Sequence, residues 1–432
     1  MVASEGAKLL FVGHWSAGAG LTRVLERLAL ECAREADVRI LGLVPAGGYG
    51  APAPTGITVC EVPQCGNRFA IDPTLLRRHI TEFSPGTIVV MGPAFLVAFL
   101  LDALQPYRAS ASVVLYLPVE GELASPIPLN LLKLVDICIL YTEDTRARMA
   151  EIAEQTGHRS TAAIAVLGHG VDTVVFSQLS QSRAVVRQKL FPDSPHLHDA
   201  FIVLNSNRDY HRKRLDLTIE GFAEFSRNRP DAYLYLNVCG LSPQGRGQIE
   251  KIVSKVGATG KVLINQLNSN GTPLPEKTMN LLYNSCEVGV TTSMGEGWGL
   301  GTFEHAATGA AQIVPDHTSF RENWRGAAAL LPPADRVPVF YEYSNMVEVR
   351  AHDVACELER LYSTPDLLSR MSRAAYERAR ELRFDWSEVG RQLRIILNVE
   401  GAVVFPEELP PTERLGGSPG SCGGYLNAFN DS

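Results

Sequence analysis

The sequence predicts an α/β chain of two doubly wound, Rossmann-like parallel-sheet domains facing each other across a central cleft. Three observations carry this. Short apolar blocks alternate with stretches of helical spacing, the pattern of strands buried on both faces of a parallel sheet. The alternation runs twice, with a polar, Pro- and His-bearing break around 177–200. The 432 residues suffice for two or three domains at roughly 100–200 residues each.

The first series opens with a strand at 9–12, a loop carrying Gly13, Gly18 and Gly20, and a helix through Leu21, Val24, Leu25 and Leu28. Strands follow at 38–44, 57–62, 87–91, 113–117, 135–141 and 163–167, with helices at 73–83, 95–104 and 144–155. After the break, strands are predicted at 201–204, 233–238, 262–264, 288–290 and 312–314. Helices are predicted at 217–225, 248–256, 276–284 and 300–308, and three more close the fold at 346–362, 366–382 and 386–398. The domains are placed at 1–180 and 195–385, with 386–398 returning to brace the first. Residues 401–432, rich in Pro, Gly and Glu, read as a flexible tail without a core.

Composition excludes several classes. With 45% hydrophobic and 20% charged residues, the chain is an ordinary globular one, not a disordered one. No apolar run approaches the roughly 18–20 residues of a membrane span, and Met1–Lys8 does not read as a secretory leader. A net charge of −7, from 40 Lys+Arg against 47 Asp+Glu, argues against a nucleic-acid binder. Eight scattered cysteines, Cys60 and Cys65 the nearest pair, offer no zinc spacing. They are expected to be reduced thiols in a cytoplasmic protein.

The most informative segment is Ser293-Met-Gly-Glu-Gly-Trp-Gly-Leu-Gly-Thr-Phe-Glu304. It follows an apolar strand and opens a helix, and its alternate glycines (Gly295, Gly297, Gly299, Gly301) let backbone approach a ligand closely. Two glutamates at such spacing are a weak motif alone. In a strand, glycine loop and helix they make sense as acceptors for sugar hydroxyls, as the acidic residue does in dinucleotide folds. The second segment, Asn205 to Asp216, follows the strand at 201–204. It places Arg208 and Lys213 at the carboxyl end of a parallel strand, where two fixed cations could neutralise a diphosphate without a metal. A solvated basic face is the competing reading of this segment. No Asp-x-Asp occurs in the chain, which removes the simplest acidic metal clamp. The loop Gly13 to Gly20 lacks a third glycine, carrying Arg23 instead, and the second strand ends in Leu43-Val44. A Rossmann dehydrogenase is therefore disfavoured. Gly18 and Gly20 still suit an approach to phosphate or sugar from across the cleft.

Glu296-Gly-Trp-Gly-Leu-Gly-Thr-Phe-Glu304 resembles the Glu-x7-Glu signature of GT-B glycosyltransferases, family 4 retaining enzymes above all. Arg208 with Lys213 resembles their paired phosphate-binding residues. Gly168-His-Gly-Val-Asp172 with Phe176, and Leu281-Leu-Tyr-Asn-Ser-Cys-Glu287, resemble the segments before the interdomain linker and the signature loop. The likeness covers about residues 8–398. It implies a GT-B fold and a retaining hexosyltransferase using a nucleotide-diphosphate-sugar donor without metal or other cofactor. The donor would be held by the C-terminal domain, and a glycan, lipid-linked or small-molecule acceptor by the N-terminal one. By that likeness Glu304 accepts the ribose and Glu296 touches the transferred sugar. Arg208 and Lys213 stabilise the departing diphosphate, and backbone at Gly297, Trp298, Gly299, Leu300 and Gly301 faces the donor. Where many members carry a histidine, this chain reads Tyr116-Leu-Pro-Val-Glu-Gly-Glu122, so Glu120 is a candidate sugar or acceptor contact. His14 is another, with a solvent-facing role as its alternative. His169 reads as a packing residue. Arg77, Arg78 and His79 imply at most a peripheral membrane contact. A nucleotide-sugar epimerase and a catalytically silent nucleotide- or glycan-binding protein are the alternative functions.

Overall fold

A computed structural model of the chain describes residues 6–45, 48–64, 71–268, 272–339 and 343–398. Along the first half run β1 (Lys8–His14), α1 (Gly20–Cys32), β2 (Asp37–Val44), β3 (Thr58–Pro63), α2 (Pro73–Phe83), β4 (Thr87–Met91), α3 (Ala94–Leu104) and β5 (Ser112–Leu117). Next come β6 (Glu122–Leu123), β7 (Ile137–Leu140), α4 (Glu143–Thr156) and β8 (Ala163–Val166). Apart from β6, these strands form one parallel sheet ordered β3-β2-β1-β4-β5-β7-β8. Its inner strands are apolar on both faces: β4, Thr-Ile-Val-Val-Met, is buried throughout, as helices on two sides require.

The second half comprises α5 (Arg183–Leu190), β9 (Phe201–Arg208), α6 (Leu215–Ser226), β10 (Ala232–Cys239), α7 (Pro243–Lys255), β11 (Val262–Ile264), α8 (Glu276–Asn284) and β12 (Val288–Val290). It continues with α9 (Leu300–Ala306), β13 (Ala311–Pro315), α10 (Thr318–Trp324), β14 (Ala329–Leu331), β15 (Arg336–Val339) and β16 (Ser344–Val347). The helices α11 (Ala351–Ser363), α12 (Pro365–Ala379) and α13 (Trp386–Ile396) complete it. The sheet order β11-β10-β9-β12-β13-β14 reverses direction between β9 and β12, as the first sheet does between β1 and β4. Such switch points are where open α/β sheets bind ligands, and here both face one cleft.

Two features tie the halves together. α13 lies against α1, where Gly390 touches the Glu31 side chain and Arg394 donates to the Glu31 carbonyl at 2.9 Å. A small antiparallel sheet, β15-β16-β6, pairs Ser344 with Leu123 and Asn345 with Glu122, so strands from both halves share one ladder.

The structure corrects several expected elements. The stretch 346–349, expected at the head of a helix, begins in strand β16; the helix starts at Ala351. The break at 177–200 contains α5, capped by Ser182. α7 starts at Pro243 because the Ser242 hydroxyl accepts from the Gly245 N–H at 3.0 Å and proline suits a first turn. β6, α10, β14 and β15 had no counterpart in the pattern reading. The tail 401–432, Cys65 and Cys422 lie outside the described residues. The described cysteines are free, and no described helix is long and apolar enough to cross a membrane.

Candidate functional site

β9 ends at Arg208, and the chain turns through His211–Lys213 before α6. Arg214, at φ +45°, makes the bend and is held by Asp216 and by Glu348. Beneath the turn lies a buried polar chain. The Asn207 amide donates to the Asn205 side-chain Oδ1 at 2.7 Å, the Asn205 amide donates to the Thr218 hydroxyl at 2.9 Å, and Thr218 meets Thr292 at 2.8 Å. The Thr292 hydroxyl donates to the Arg214 carbonyl at 2.6 Å. Fully partnered networks of this kind rigidify what they support. Here they fix the loop after β9 against the strand end of β12.

The loop after β12 is locked as firmly. The Ser319 hydroxyl donates to the Glu296 carbonyl at 2.8 Å, and Met294 N–H donates to the Arg212 carbonyl at 2.7 Å. Gly299, at φ +90°, has the Phe320 ring where a side chain would go, so both the turn and the packing demand glycine. Across the cleft, a Cβ at Gly295 would lie 2.2 Å from the Glu120 carbonyl. Only a glycine there lets the N-terminal segment approach.

These loops assemble an ionic cluster. The Lys213 ammonium meets the Glu296 carboxylate, and both side chains are 11% exposed. Arg212 lies 3.2 Å from Glu296, donates to Glu120 at 2.6 Å and donates to the Gly295 carbonyl at 2.7 Å. Burial alone pushes the Glu296 carboxyl up, but Lys213 and Arg212 outweigh it and hold it at about 2. Burial lowers the Lys213 ammonium against the pull of Glu296. Burial also raises Glu120, with Arg212 opposing. A second cluster surrounds Glu304, which pairs with Arg23 of α1 and accepts from the Tyr283 hydroxyl at 3.1 Å. Burial raises its carboxyl and Arg23 pulls it back.

Two cavities meet at Lys213. The larger, about 680 Å³, lies between the halves and is lined by Arg208, Arg212, Lys213 and Glu120, with Ser16 and Ala17 from the first glycine loop. The smaller, about 100 Å³, reaches Glu296, Gly299, Leu300, Gly301, Tyr283 and Ser206. Arg208 donates to the Gly18 carbonyl at 3.1 Å. Gly18, at φ +73°, faces Pro273 so closely that a Cβ would sit 2.2 Å away. Gly20 begins α1 and faces Leu300. Gly297 lies against Tyr141 and Pro118. The Trp298 side chain points away from both cavities, packing on Gly168, His169 and Phe303. His14 sits behind the cavity wall and bonds Ser16 at 2.7 Å; burial, then Arg208, lowers its imidazole. Among the described residues no three His, Cys, Asp or Glu side chains converge to hold a metal ion.

Sequence reasoning named Glu296, Glu304, Arg208, Lys213 and Glu120, and the fold brings all five to the cleft. It passed over Arg212, Arg23 and Tyr283. Arg212 stands beside Lys213, so only its partners, 92 residues away at Glu120 and 84 at Glu296 by chain position, mark it. Arg23 had been noticed only as a missing glycine.

The comparisons agree with this architecture. A glycosyl transferase-like family model matches residues 249–394. Sucrose-phosphate synthase from Thermosynechococcus elongatus is similar at 16% identity and a TM-score of 0.67, covering 90% of this chain and 97% of its own. Anabaena HepE, crystallised with UDP and glucose, is similar at 15% identity and 0.68, covering 91% and 99%. Trehalose 6-phosphate synthase from Burkholderia multivorans is similar at 15% and 0.69, covering 91% and 96%. No curated protein matches the chain in sequence. The fold is GT-B.

Proposed function

We propose that the chain is a glycosyltransferase taking a nucleoside-diphosphate sugar as donor and transferring a hexosyl group with retention, without a metal ion. The observation that carries this is the convergence of Lys213, Arg212 and Glu296 at the β9/β12 switch point, with Arg208 facing the loop after β1 and Glu304 bonded to Tyr283, which lines the smaller cavity. A pyrophosphate set between the two cavities would meet Lys213, which lines both, and the neighbouring guanidinium groups. Fixed cations placed where leaving-group charge develops lower the barrier directly. Glu304 would accept ribose hydroxyls and Glu296 the sugar hydroxyls, displacing their present partners in part.

In the proposed reaction the bond from the anomeric carbon to phosphate breaks and a bond to the acceptor oxygen forms on the same face. The acceptor proton passes to the departing phosphate oxygen, so no protein base is needed. The complexes of the similar Anabaena protein with UDP and glucose support this donor class.

The test is calorimetric titration with UDP, GDP and ADP, each with and without EDTA, followed by donor turnover with the matching sugars. One nucleotide should bind, indifferent to EDTA, and the matching nucleotide sugar should release that nucleoside diphosphate. Loss of turnover with EDTA defeats metal independence; an isomerised donor sugar favours an epimerase. Binding without any turnover favours a silent sensor.

A further inference from the structure

The larger cavity has two unlike walls. On the C-terminal side stand Arg208, Arg212 and Lys213 with Asp209 and Tyr210; on the N-terminal side the side chains are almost wholly hydrocarbon, including Pro93, Phe95, Leu96, Leu117, Val119 and Pro128. Among the N-terminal residues lining it, Ser16 and Glu120 alone carry polar side chains. Both are engaged already, Ser16 with His14 at 2.7 Å and Glu120 with Arg212 at 2.6 Å. A saccharide seated on this wall would find few side-chain partners for its hydroxyls, and unpaired buried polar groups are strongly disfavoured.

The apolar character continues outward. α3 reads Ala-Phe-Leu-Val-Ala-Phe-Leu-Leu from its first residue, and Phe99 is 53% exposed. Phe99 lies four residues beyond Phe95, hence on the same helix face one turn further out. Ile127, in the segment packed against α3, is 50% exposed. Ile127 adjoins Pro128, which lines the cavity, and exposed apolar side chains that continue an apolar wall mark a binding surface more often than isolated ones do.

We infer that this wall binds an acceptor made of a hydroxyl-bearing head and an apolar aglycone, alkyl, isoprenyl or aryl. The head would lie beside the cations and the aglycone along Phe95, Leu96 and then Phe99. This rests on the donor reading above and extends it to the class of acceptor. The division of walls matches an amphiphile: charge is met where the diphosphate would leave, hydrocarbon where the rest of the acceptor runs.

The experiment titrates the full chain with methyl, butyl and octyl β-glucosides below their micellar concentrations, with phenyl β-glucoside as the aryl arm. Transfer of each methylene from water favours binding by up to about fourfold, so octyl should exceed methyl by at least about tenfold. Phe95→Ala should weaken the butyl, phenyl and octyl ligands by about threefold or more. Phe99→Ala, at a position 53% exposed, should weaken octyl and leave butyl unchanged. A flat series, or a gain with chain length that both substitutions leave intact, overturns the inference. UDP, GDP and ADP are titrated into the same samples. Alkyl-chain dependence without nucleotide binding defeats the donor reading and keeps this wall; nucleotide binding with a flat series does the reverse.

Discussion

Lys213 has two roles that a single substitution cannot separate: it neutralises Glu296, and it is proposed to stabilise a leaving diphosphate. Lys213→Met keeps the bulk of the stem and strands a carboxylate that is 11% exposed. That carboxylate sits at about 2 rather than the ordinary 4.5, a difference equivalent to about 3 kcal/mol. Breaking one partner of a buried pair typically costs roughly 3–5 kcal/mol. Arg212, still 3.2 Å from Glu296, places this site at the lower end. For a domain of this size that is a fall of about 6–12 °C in Tm. Glu296→Gln added to Lys213→Met removes the stranded charge and should return most of the lost stability. Catalysis should not follow. A cation aimed at developing charge contributes about 10²–10³ in turnover, so Lys213→Met/Glu296→Gln should turn over about a hundredfold more slowly than Glu296→Gln alone. The assay is release of nucleoside diphosphate from the donor, with melting measured on the same four proteins of the cycle. Equal turnover in the double variant and Glu296→Gln would show that Lys213 acts only through the glutamate.

The pH dependence of stability tests the same cluster. Glu296 titrates below its unfolded value, so its stabilisation is complete above about pH 4.5 and is lost as pH falls toward 2. Burial shifts Glu120 and Glu304 the other way, so the native protein must be compared with Glu296→Gln in urea melts; native should lose about 3 kcal/mol more across that window. Arg23→Ala frees Glu304 of its competing partner, and with Arg23 only 36% exposed the bound nucleotide should tighten by about fivefold, a charge-assisted bond discounted for solvent. Weaker nucleotide binding in calorimetry would make Arg23 itself a ligand group. Gly18→Ala should lower Tm by more than Gly257→Ala: the two share a positive φ, but only Gly18 has a neighbour, Pro273, in the way.

Much of the site could be read because its residues are local to strand ends. Arg208 and Lys213 follow one apolar block and Glu296 another, and the carboxyl ends of parallel strands are fixed neighbours once the sheet order is doubly wound. The pairings could not be read. Arg23 and Glu304 lie 281 residues apart, and nothing in the periodicity of α1 distinguishes Arg23 from Arg27, which instead pairs with Asp172 at 2.5 Å. The two-residue strand β6 is too short for any alternation to register. Met346 and Val347 fell in phase with Val354 and Leu358 of the following helix, so a helical reading absorbed a strand whose real determinant is its partners, Val337 and Arg336 on β15 with Leu123 and Glu122 on β6. Tertiary pairing decided that element over local pattern. The seven-residue α10 is shorter than two full apolar repeats.

The contacts across the cleft divide by chemistry, and the division constrains how a donor enters. Some are backbone ladders and packing: β16 on β6, Trp298 on Gly168, α13 on α1. These involve no group a nucleotide sugar needs. The others are polar and use the groups assigned to the donor: Arg23 on Glu304, Arg208 on the Gly18 carbonyl, Arg212 on Glu120. A donor of the proposed kind would therefore exchange partners at the second set of contacts while the ladder and packing contacts persist. Exchange has a modest net gain, because each bond made to ribose or phosphate replaces one already present. The apolar contacts then have a separate consequence. With β6 held in a ladder to β16, Gly121 packed on the Asn345 backbone and Gly295 on the Glu120 carbonyl, the Glu120 backbone is held close to the loop that carries Gly295. The proposed acceptor wall next to Glu120 is thus tied to the C-terminal loops, and its register against Lys213 is set by the fold itself.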